Sequence, residues 1–573
     1  VKNNNGTVVL KTSNTYTGTT TINAGTLQIG DGVTDGSIAQ SAQVINSGTL
    51  SFKTAGSQSL TNPVSGSGVL RMIGTGTLVL PSANTHTGDT VLSSGSLHLN
   101  HASALGNTTA GSLVIQGGSL DNTSAAAITT TTAKAQTWAG NFTFTGTQNL
   151  NFNSGVVTLS GGGNRAVHIA AGTLGTGRIS STDGTGLSLS GAGVLAITTN
   201  AASNINGPLA VAAGSTLRFN TGENAGTTND FITTGLSGQG IVENGGGVER
   251  WFFLNHEVDQ SFDGVMQNGG AGPLGFNKDG SGTFSFASHQ AFTGRTTIRN
   301  GTLVASTLAN VGTASSVGAG AQLYLGEGYG TQAGTATLRY TGGNITTDRS
   351  LNISCTAGHS GVIDSNADIT FSGAVNADDT GGFVKRGSGT LTFANAATTQ
   401  RLSNGTNGGA GVFGVNVAQG RLWLRNGTYA VTGEMVVGGA LLTDGNFTAA
   451  ALDISHSATL NAANWFSIGR GHGTTGLSST VTVDGGTLNI TSATNGLAMG
   501  YNANLPDYQA VQSLMIKGTG VVTIAGMLNS GENAGSDSTI TLQNSATLNL
   551  NNATQLSKSI GVGGKATLVL TSG

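Results

Sequence analysis

Charge, proline, cysteine and aromatic side chains are all scarce in this sequence of 573 residues. Charged residues account for 9 % and aromatic residues for 5 %, with five prolines and one cysteine. Low charge argues against a disordered chain, which usually combines high charge with few β-branched residues. The few prolines exclude a collagen-like repeat. Because Cys355 is alone, it excludes an internal disulfide and a zinc site built on paired cysteines.

Basic clusters and long apolar runs are missing as well. The formal net charge is −3, and the longest run of lysine and arginine is Lys385-Arg386. The sequence therefore lacks the basic patch that would attract a nucleic acid or an anionic membrane, and we predict no nucleic-acid binding. No apolar run approaches the roughly 18 residues of a transmembrane helix, which predicts no membrane insertion within this segment. Residues 1–10 lack the pattern of a signal peptide, so we expect a mature or excised segment.

Glycine, in contrast, is abundant, with 94 residues, and it marks a repeat. Residues 6–29, 76–99 and 282–305 align without a gap. Each stretch opens on Gly-Thr, carries a central Thr-Gly and closes on Gly-Thr-Leu or Gly-Ser-Leu. The opening threonine and the hydroxyl residue of the closing triplet are 19 residues apart in all three. Further Gly-Thr-Leu or Gly-Ser-Leu triplets follow after 23 residues, so the chain advances in steps of 19–23 residues.

The C-terminal part keeps a longer period. Gly438, Gly469, Gly500 and Gly531 are each 31 residues apart, and Gly561 follows after 30. Short β-type runs lie between these glycines. A slip of one residue indicates a change of loop length and not a change of architecture.

Strand-forming patterns fill every repeat, because Leu, Val and Ile alternate with Thr between glycine and asparagine turns. One such unit cannot bury its apolar side alone, whereas stacked copies pair each strand in parallel, about 4.8 Å apart. We therefore predict an all-β parallel β-helix, or β-solenoid, in one continuous elongated rod. Residues 1–430 form coils of 19–23 residues with an irregular excursion at 221–272, and residues 431–573 continue with a repeat of about 31 residues.

The excursion contains a cluster of bulky aromatic residues, Trp251, Phe252 and Phe253. One interpretation is a binding excursion on the side of the rod. The other is a wider coil whose core these rings fill. The sequence leaves both open.

The repeated unit resembles the passenger-associated β-strand repeat of bacterial autotransporters and related giant surface proteins. The resemblance lies in residues 6–30, 76–99 and 282–303. It implies a right-handed β-helix, secretion and a role at the cell surface, but no common chemistry, since different passengers do different things. Both ends of the sequence fall within a repeat, so we expect a piece of a longer chain or a module that stacks end to end.

Motifs for catalysis are weak. Asp378-Asp379 is the one adjacent acidic pair, and the following glycines favour a turn. Residues 471–473, Gly-His-Gly, resemble a motif of pectin-degrading hydrolases whose partner motifs are missing here. Ser67 and Ser281 each lie between two glycines, as is typical of turns. We predict no catalytic residue, metal or cofactor.

These observations favour a non-catalytic, extracellular structural or adhesive rod or stalk of a bacterial cell-surface protein. The chain would be a fragment of a longer repeat protein or a filament subunit. Expected partners are glycans, other surface proteins, or further copies in end-to-end or lateral association. The alternative is a carbohydrate-active β-helix enzyme, a polysaccharide lyase or hydrolase, which would bring carboxylates and a basic side chain together in one groove.

Overall fold

Strands and turns make up the whole described structure. The computed structural model describes residues 1–199, 201–219, 231–326, 334–378, 380–396, 400–404, 413–439, 449–470, 477–500, 510–530, 536–551, 556–557 and 565–571. Within these ranges there are 61 strands and no helix. The chain forms two compact units, one of Val1–His256 with Gln260–Gly275 and one of Glu257–Asp259 with Phe276–Gly573. Each unit is described by itself.

Most strands before residue 270 are two to six residues long, which is the length that one side of a narrow coil requires. They are β1 (Thr7–Leu10), β2 (Thr20–Ile22), β3 (Thr26–Ile29), β4 (Val44–Asn46), β5 (Thr49–Phe52), β6 (Ser57–Ser59), β7 (Val64–Ser65), β8 (Val69–Met72), β9 (Thr77–Leu80), β10 (Thr90–Leu92), β11 (Ser96–Leu99), β12 (Ser112–Ile115), β13 (Ser119–Asp121), β14 (Ile128–Thr129), β15 (Ala135–Trp138), β16 (Phe142–Phe144), β17 (Leu150–Asn151), β18 (Val157–Leu159), β19 (Asn164–Ile169), β20 (Thr173–Thr176), β21 (Ile179–Ser181), β22 (Gly186–Ser190), β23 (Val194–Ile197), β24 (Ser203–Val211), β25 (Thr216–Phe219), β26 (Phe231–Gly238), β27 (Ile241–Asn244), β28 (Arg250–Asn255), β29 (Gln260–Phe262) and β30 (Val265–Asn268).

The later strands follow the same style, with longer members toward the C-terminus. They are β31 (Leu274–Asp279), β32 (Thr283–Phe286), β33 (Thr296–Ile298), β34 (Gly301–Ala305), β35 (Gln322–Leu325), β36 (Ala336–Tyr340), β37 (Ile345–Thr347), β38 (Ser350–Ile353), β39 (Ser360–Ser365), β40 (Ile369–Phe371), β41 (Val375–Ala377), β42 (Gly382–Arg386), β43 (Thr390–Phe393), β44 (Gln400–Ser403), β45 (Val415–Val417), β46 (Gly420–Leu424), β47 (Thr428–Val431), β48 (Met435–Gly439), β49 (Ala449–Ser455), β50 (Thr459–Ala462), β51 (Phe466–Arg470), β52 (Leu477–Asp484), β53 (Thr487–Ile490), β54 (Leu497–Met499), β55 (Ala510–Lys517), β56 (Val521–Ile524), β57 (Leu528–Ser530), β58 (Ser536–Gln543), β59 (Thr547–Leu550), β60 (Leu556–Ser557) and β61 (Lys565–Thr571).

In the first unit each strand pairs in parallel with its equivalent one coil later. Thr7 of β1 pairs with Thr26 of β3, and Thr26 pairs with Thr49 of β5, giving steps of 19 and then 23 residues. A separate seven-stranded sheet, β14-β17-β20-β23-β25-β27-β30, covers another side of the later coils within the described residues. Parallel stacking in register is the defining feature of a solenoid.

The second unit repeats this arrangement with longer coils. Its described strands include the nine-stranded parallel sheet β37-β40-β43-β46-β49-β52-β55-β58-β61 and the six-stranded sheet β44-β47-β50-β53-β56-β59. Along the first of these sheets, the step is 30 residues from Leu422 to Leu452 and 29 from Leu452 to Val481. Gly531 and Gly561 of the predicted period lie outside the described residues.

Stacked apolar side chains form the core, and stacked polar side chains cover the outside. Leu27, Leu50 and Leu70 occupy successive paired positions, and each is at most 5 % exposed. Burying one such side chain contributes about 1.5–3 kcal/mol. On the outer face, Ser96 and Ser119 also pair, with their hydroxyl oxygens 2.6 Å apart. Neutral ladders avoid the repulsion that identical charges would suffer when directly opposite. The all-β parallel solenoid predicted from the sequence is confirmed.

Candidate functional site

The three aromatic residues singled out in the sequence lie on β28 of the first unit and face opposite ways. Phe252 is fully buried and stacks on Phe231, with ring centroids 5.5 Å apart and an angle of 12° between the planes. Trp251 and Phe253 are half-buried on the outer face, with centroids 6.3 Å apart. Side chains alternate across a strand, so this division is dictated by the extended backbone.

Small and apolar neighbours surround the two outer rings. Ile232, which pairs with Phe253, is also half-buried on the outside. Gly275 lies so close to the Trp251 indole that a side chain there would overlap the ring, because an added Cβ would be 2.7 Å from its carbon atoms. Residues 221–230 of the predicted excursion lie outside the described residues. The binding role of Trp251 and Phe253 stays a prediction.

A buried lysine holds together the turn that opens a repeat, and sequence reasoning missed it. Lys278 is fully buried, and its Nζ donates to the carbonyl oxygens of Gly280 at 2.5 Å and Asn300 at 2.8 Å. Gly280 lies two residues before Gly282, which opens the repeat, whereas Asn300 lies one coil later, directly before Gly301. The ammonium therefore bridges two successive coils through backbone acceptors.

The same arrangement recurs at two other places. Lys385 Nζ donates to the carbonyls of Gly387 at 2.7 Å and Gln419 at 3.3 Å. Lys2 Nζ donates to the carbonyls of Asn4 and Ala24. In each case the second acceptor precedes a glycine with a positive φ near 70°. The signal in the sequence is Lys-x-Gly-Ser-Gly-Thr, which occurs at Lys278 and Lys385.

One repeat uses methionine at this position and satisfies the carbonyl in another way. Met72 replaces the lysine, and the Ser94 hydroxyl donates to the carbonyl oxygen of Gly74 at 3.0 Å. Ser94 precedes Gly95, as Asn300 precedes Gly301. A buried carbonyl that loses its donor is costly, so each repeat provides one donor or the other.

Stability should rise with pH where these lysines titrate. Burial lowers the pKa of both Lys278 and Lys385 to about 8. At Lys278 the nearby carboxylates act in the opposite direction and raise the pKa; they belong to Asp279, Glu257 and Asp259. Between pH 8 and about 10.5 the unfolded lysines keep protons that the folded ones have released. The free energy of unfolding should therefore increase as the pH rises from 8 to about 10.5. This gain in stability is lost again when the pH falls back to 8.

Urea unfolding of the wild type and the Lys278→Met/Lys385→Met double variant at pH 7, 8, 9 and 10, followed by circular dichroism, measures the effect. The rise with pH should be smaller in the double variant. Lys53→Met, at an exposed lysine, is the matched control and should keep the wild-type slope. Equal slopes in the wild type and the double variant would contradict the assignment.

Two of the residues singled out in the sequence have hydrogen-bond partners within the fold. The Ser281 hydroxyl donates to the Glu257 carboxylate at a turn. Cys355 is buried and donates to the Leu325 carbonyl oxygen at 3.3 Å. Asp378 is exposed, whereas Asp379 and residues 471–473 lie outside the described residues. Among the described residues, no three His, Cys, Asp or Glu side chains come together as metal ligands.

Three of the repeats with this turn, those that contain Lys2, Met72 and Lys278, match a known family, whereas the repeat that contains Lys385 is outside the matched residues. Residues 1–29, 70–99 and 276–305 match the passenger-associated-transport-repeat family. Over 300 residues the chain is 32 % identical to a protein named Adhesin BmaC autotransporter, from Brucella suis biovar 1 (strain 1330). The chain is similar to autotransporter passengers. No solved structure is significantly similar to it.

The similarity to the Brucella protein extends over about half of this chain. The aligned region covers 49 % of this chain and 8 % of the Brucella relative, so the chain spans a small part of that protein's length. The passenger repeats and the adhesin relative indicate an extracellular location at the bacterial cell surface, as the sequence predicted. Within the part of the chain that the structure describes, no helix is long and apolar enough to cross a membrane.

Proposed function

We propose that this chain is a non-catalytic structural and adhesive segment of a bacterial surface passenger. The observation that carries the proposal is the in-register stack of passenger repeats in a chain similar to an autotransporter adhesin. Stacked parallel strands give a polar, weakly charged surface on which exposed side chains recur at fixed spacing. Such a surface suits contact with glycans or with other surface proteins.

Trp251 and Phe253 are the proposed contact residues of the first unit. Both rings are half-exposed on the outer face, and aromatic rings supply large contact areas at low entropic cost. Phe252 is excluded from this role, because it stacks on Phe231 in the core. On β28, Phe252 therefore fills the core, whereas Trp251 and Phe253 are the side chains proposed to bind a partner.

Adhesion of coated particles tests the proposal. Fluorescent beads carrying the complete 573-residue chain should bind cultured epithelial cells more strongly than albumin-coated beads do. The Trp251→Ala/Phe253→Ala variant should bind several-fold more weakly, because the two outer rings are removed while the core is kept. Tyr16→Ala, which removes an aromatic ring that is 42 % exposed elsewhere, is the matched control and should bind like the wild type.

Two results would count against the proposal. Wild-type beads that bind no better than albumin-coated beads would overturn an adhesive function. Equal loss in the Tyr16 control and in the double variant would show that Trp251 and Phe253 have no special role. Circular dichroism of each variant verifies that the solenoid has folded.

A further inference from the structure

A second aromatic cluster lies on the outer face of the nine-stranded sheet in the second unit. It is centred on Trp423 of β46 and includes Arg425, Ser455 and His456; we refer to these four residues as the Trp423 cluster. Trp423 and Arg425 are half-buried, and His456 is exposed. Because β46 and β49 are adjacent parallel strands, residues about 30 positions apart meet on one face.

Hydrogen bonds fix the orientation of the aromatic rings in the cluster. The Nε1–H of Trp423 donates to the hydroxyl oxygen of Ser455 at 2.8 Å. The same hydroxyl lies 2.8 Å from Nδ1 of His456. When the hydroxyl proton is donated to Nδ1, the neutral imidazole carries its own proton on Nε2, and that proton is available to a ligand. The indole and imidazole centroids are 6.5 Å apart.

Arg425 has hydrogen-bonding capacity that the described protein does not use. Its guanidinium carbon lies 4.9 Å from the centroid of the Trp423 ring, in a cation–π contact. Its Nε is buried and has no hydrogen-bond partner among the described residues. The buried Nε is out of reach of a ligand, but the two terminal amino groups of a guanidinium held by stacking can bind a carboxylate through two parallel hydrogen bonds.

The surrounding charges leave Arg425 as the excess positive charge of this surface. Arg421 on β46 pairs with Asp453 at 2.7 Å, and Lys517 pairs with Asp484 at 3.3 Å. Among the described residues, these pairs neutralise the charged side chains of β46, β49, β52 and β55. An anionic ligand is therefore favoured over a cationic one.

His456 lies at a turn with a left-handed backbone conformation. Its φ is +57°, whereas the residues at the same turn in the next three coils are Gly485, Gly518 and Asn544, all with positive φ. Glycine and asparagine are the residues best suited to this region. The next three coils carry no imidazole at this turn, so the His456 side chain is particular to the coil that contains Trp423.

We propose that the Trp423 cluster binds an acidic sugar. The carboxylate of the sugar would bind Arg425, its apolar ring face would contact the exposed part of the Trp423 indole, and a hydroxyl group would accept from His456. Aromatic rings with a few fixed polar groups are suited to such amphipathic ligands. This inference rests on the proposed adhesive function, for which it names the class of ligand.

Titration calorimetry with the complete 573-residue chain tests the site. Sialyllactose or a glucuronate-containing disaccharide should bind at least about tenfold more tightly than neutral lactose, because only the acidic sugars can pair with Arg425. The two acidic probes separate a terminal sialic acid from a uronic acid. Equal binding of lactose, or binding of a sulfated disaccharide alone, would overturn the assignment to a sugar carboxylate.

Two variants separate binding from folding. Arg425→Gln should lower the affinity for the acidic sugar at least about tenfold while the unfolding midpoint changes little. His456→Gly should lower the affinity and at the same time keep or raise the stability, since glycine is preferred at this φ. A purely structural histidine would change stability without changing affinity. Wild-type affinity in both variants would overturn the inference.

The bead assay distinguishes this inference from the proposed function. Wild-type beads that bind cells, combined with no acidic-sugar binding in solution, would remove the sugar site and leave the adhesive function in place. Acidic-sugar binding in solution without adhesion of wild-type beads would remove the adhesive function and leave the sugar site.

Discussion

Replacing Gly301 by alanine should destabilise the second unit by about 2–5 kcal/mol. Gly301 has a φ of +70°, which an L-residue adopts only at a cost. An added Cβ would also lie 2.5 Å from the carbonyl oxygen of Gly280 and 2.6 Å from that of Gly282. Two backbone carbonyls cannot move aside as a flexible side chain would. Hydrogen exchange in β32–β36 and urea unfolding would measure the loss.

Two other glycines of the same unit separate the causes. Gly312 has a φ of +83° and no atom within 4 Å of an added Cβ, so Gly312→Ala reports backbone strain alone. Gly343 has open space around the added Cβ and no φ in the positive range, so Gly343→Ala should be nearly neutral. The expected order of destabilisation is Gly301, then Gly312, then Gly343. Equal effects at Gly301 and Gly312 would show that close packing of the coils contributes nothing.

Lys278→Met should cost about 1–3 kcal/mol at pH 10, where the buried lysine is neutral and still donates to the carbonyl oxygens of Gly280 and Asn300, and should cost less at pH 7, where burial of the ammonium opposes folding. Asn300→Ser in the Lys278→Met background should restore about 0.5–1.5 kcal/mol. The reason is the repeat with Met72, in which the Ser94 hydroxyl bonds to the carbonyl of Gly74.

A double-mutant cycle on the complete chain measures the coupling between positions 278 and 300. Rescue should appear only when methionine is present, because in the wild type the lysine already satisfies the carbonyl. Strictly additive effects of the two substitutions would show that the serine hydroxyl does not replace the lysine. The pair Met72 and Ser94 would then be unrelated to the pair Lys278 and Asn300.

The sequence predicts the coil well, because both of its determinants are local. Alternation of Leu and Thr specifies strands, and the 19-residue spacing of Gly-Thr markers specifies the pairing of Thr7 with Thr26 and of Thr283 with Thr302. Glycine at the closing triplet predicts a tight corner, and Gly25 and Gly301 have the positive φ that such a corner requires. Fold class therefore follows from composition and period.

Side-chain roles are harder to predict, because their partners lie a coil away. A lysine beside glycines, as at Lys278, is expected to be exposed in solvent, and its burial depends on a carbonyl 22 residues later. Trp423 lies between two arginines in the sequence, but its partner Ser455 is 32 residues away. Since coil length varies along the second unit, the register that joins them cannot be counted from the sequence. Similarly, the sequence alone does not show that Phe252 faces the core and Trp251 the outside. That assignment requires the bounds of β28, along which side chains alternate between the two faces.

Register in this protein is independent of the amount of chain between paired strands. Thr283 pairs with Thr302 after 19 residues, and Thr302 pairs with Thr337 after 35, yet both ladders have the same parallel geometry. The added residues of the longer coil include Leu308, Ser315 and Val317, which are at most 1 % exposed. This coil therefore grows by packing part of its extra chain into the interior while the ladders on either side stay in register.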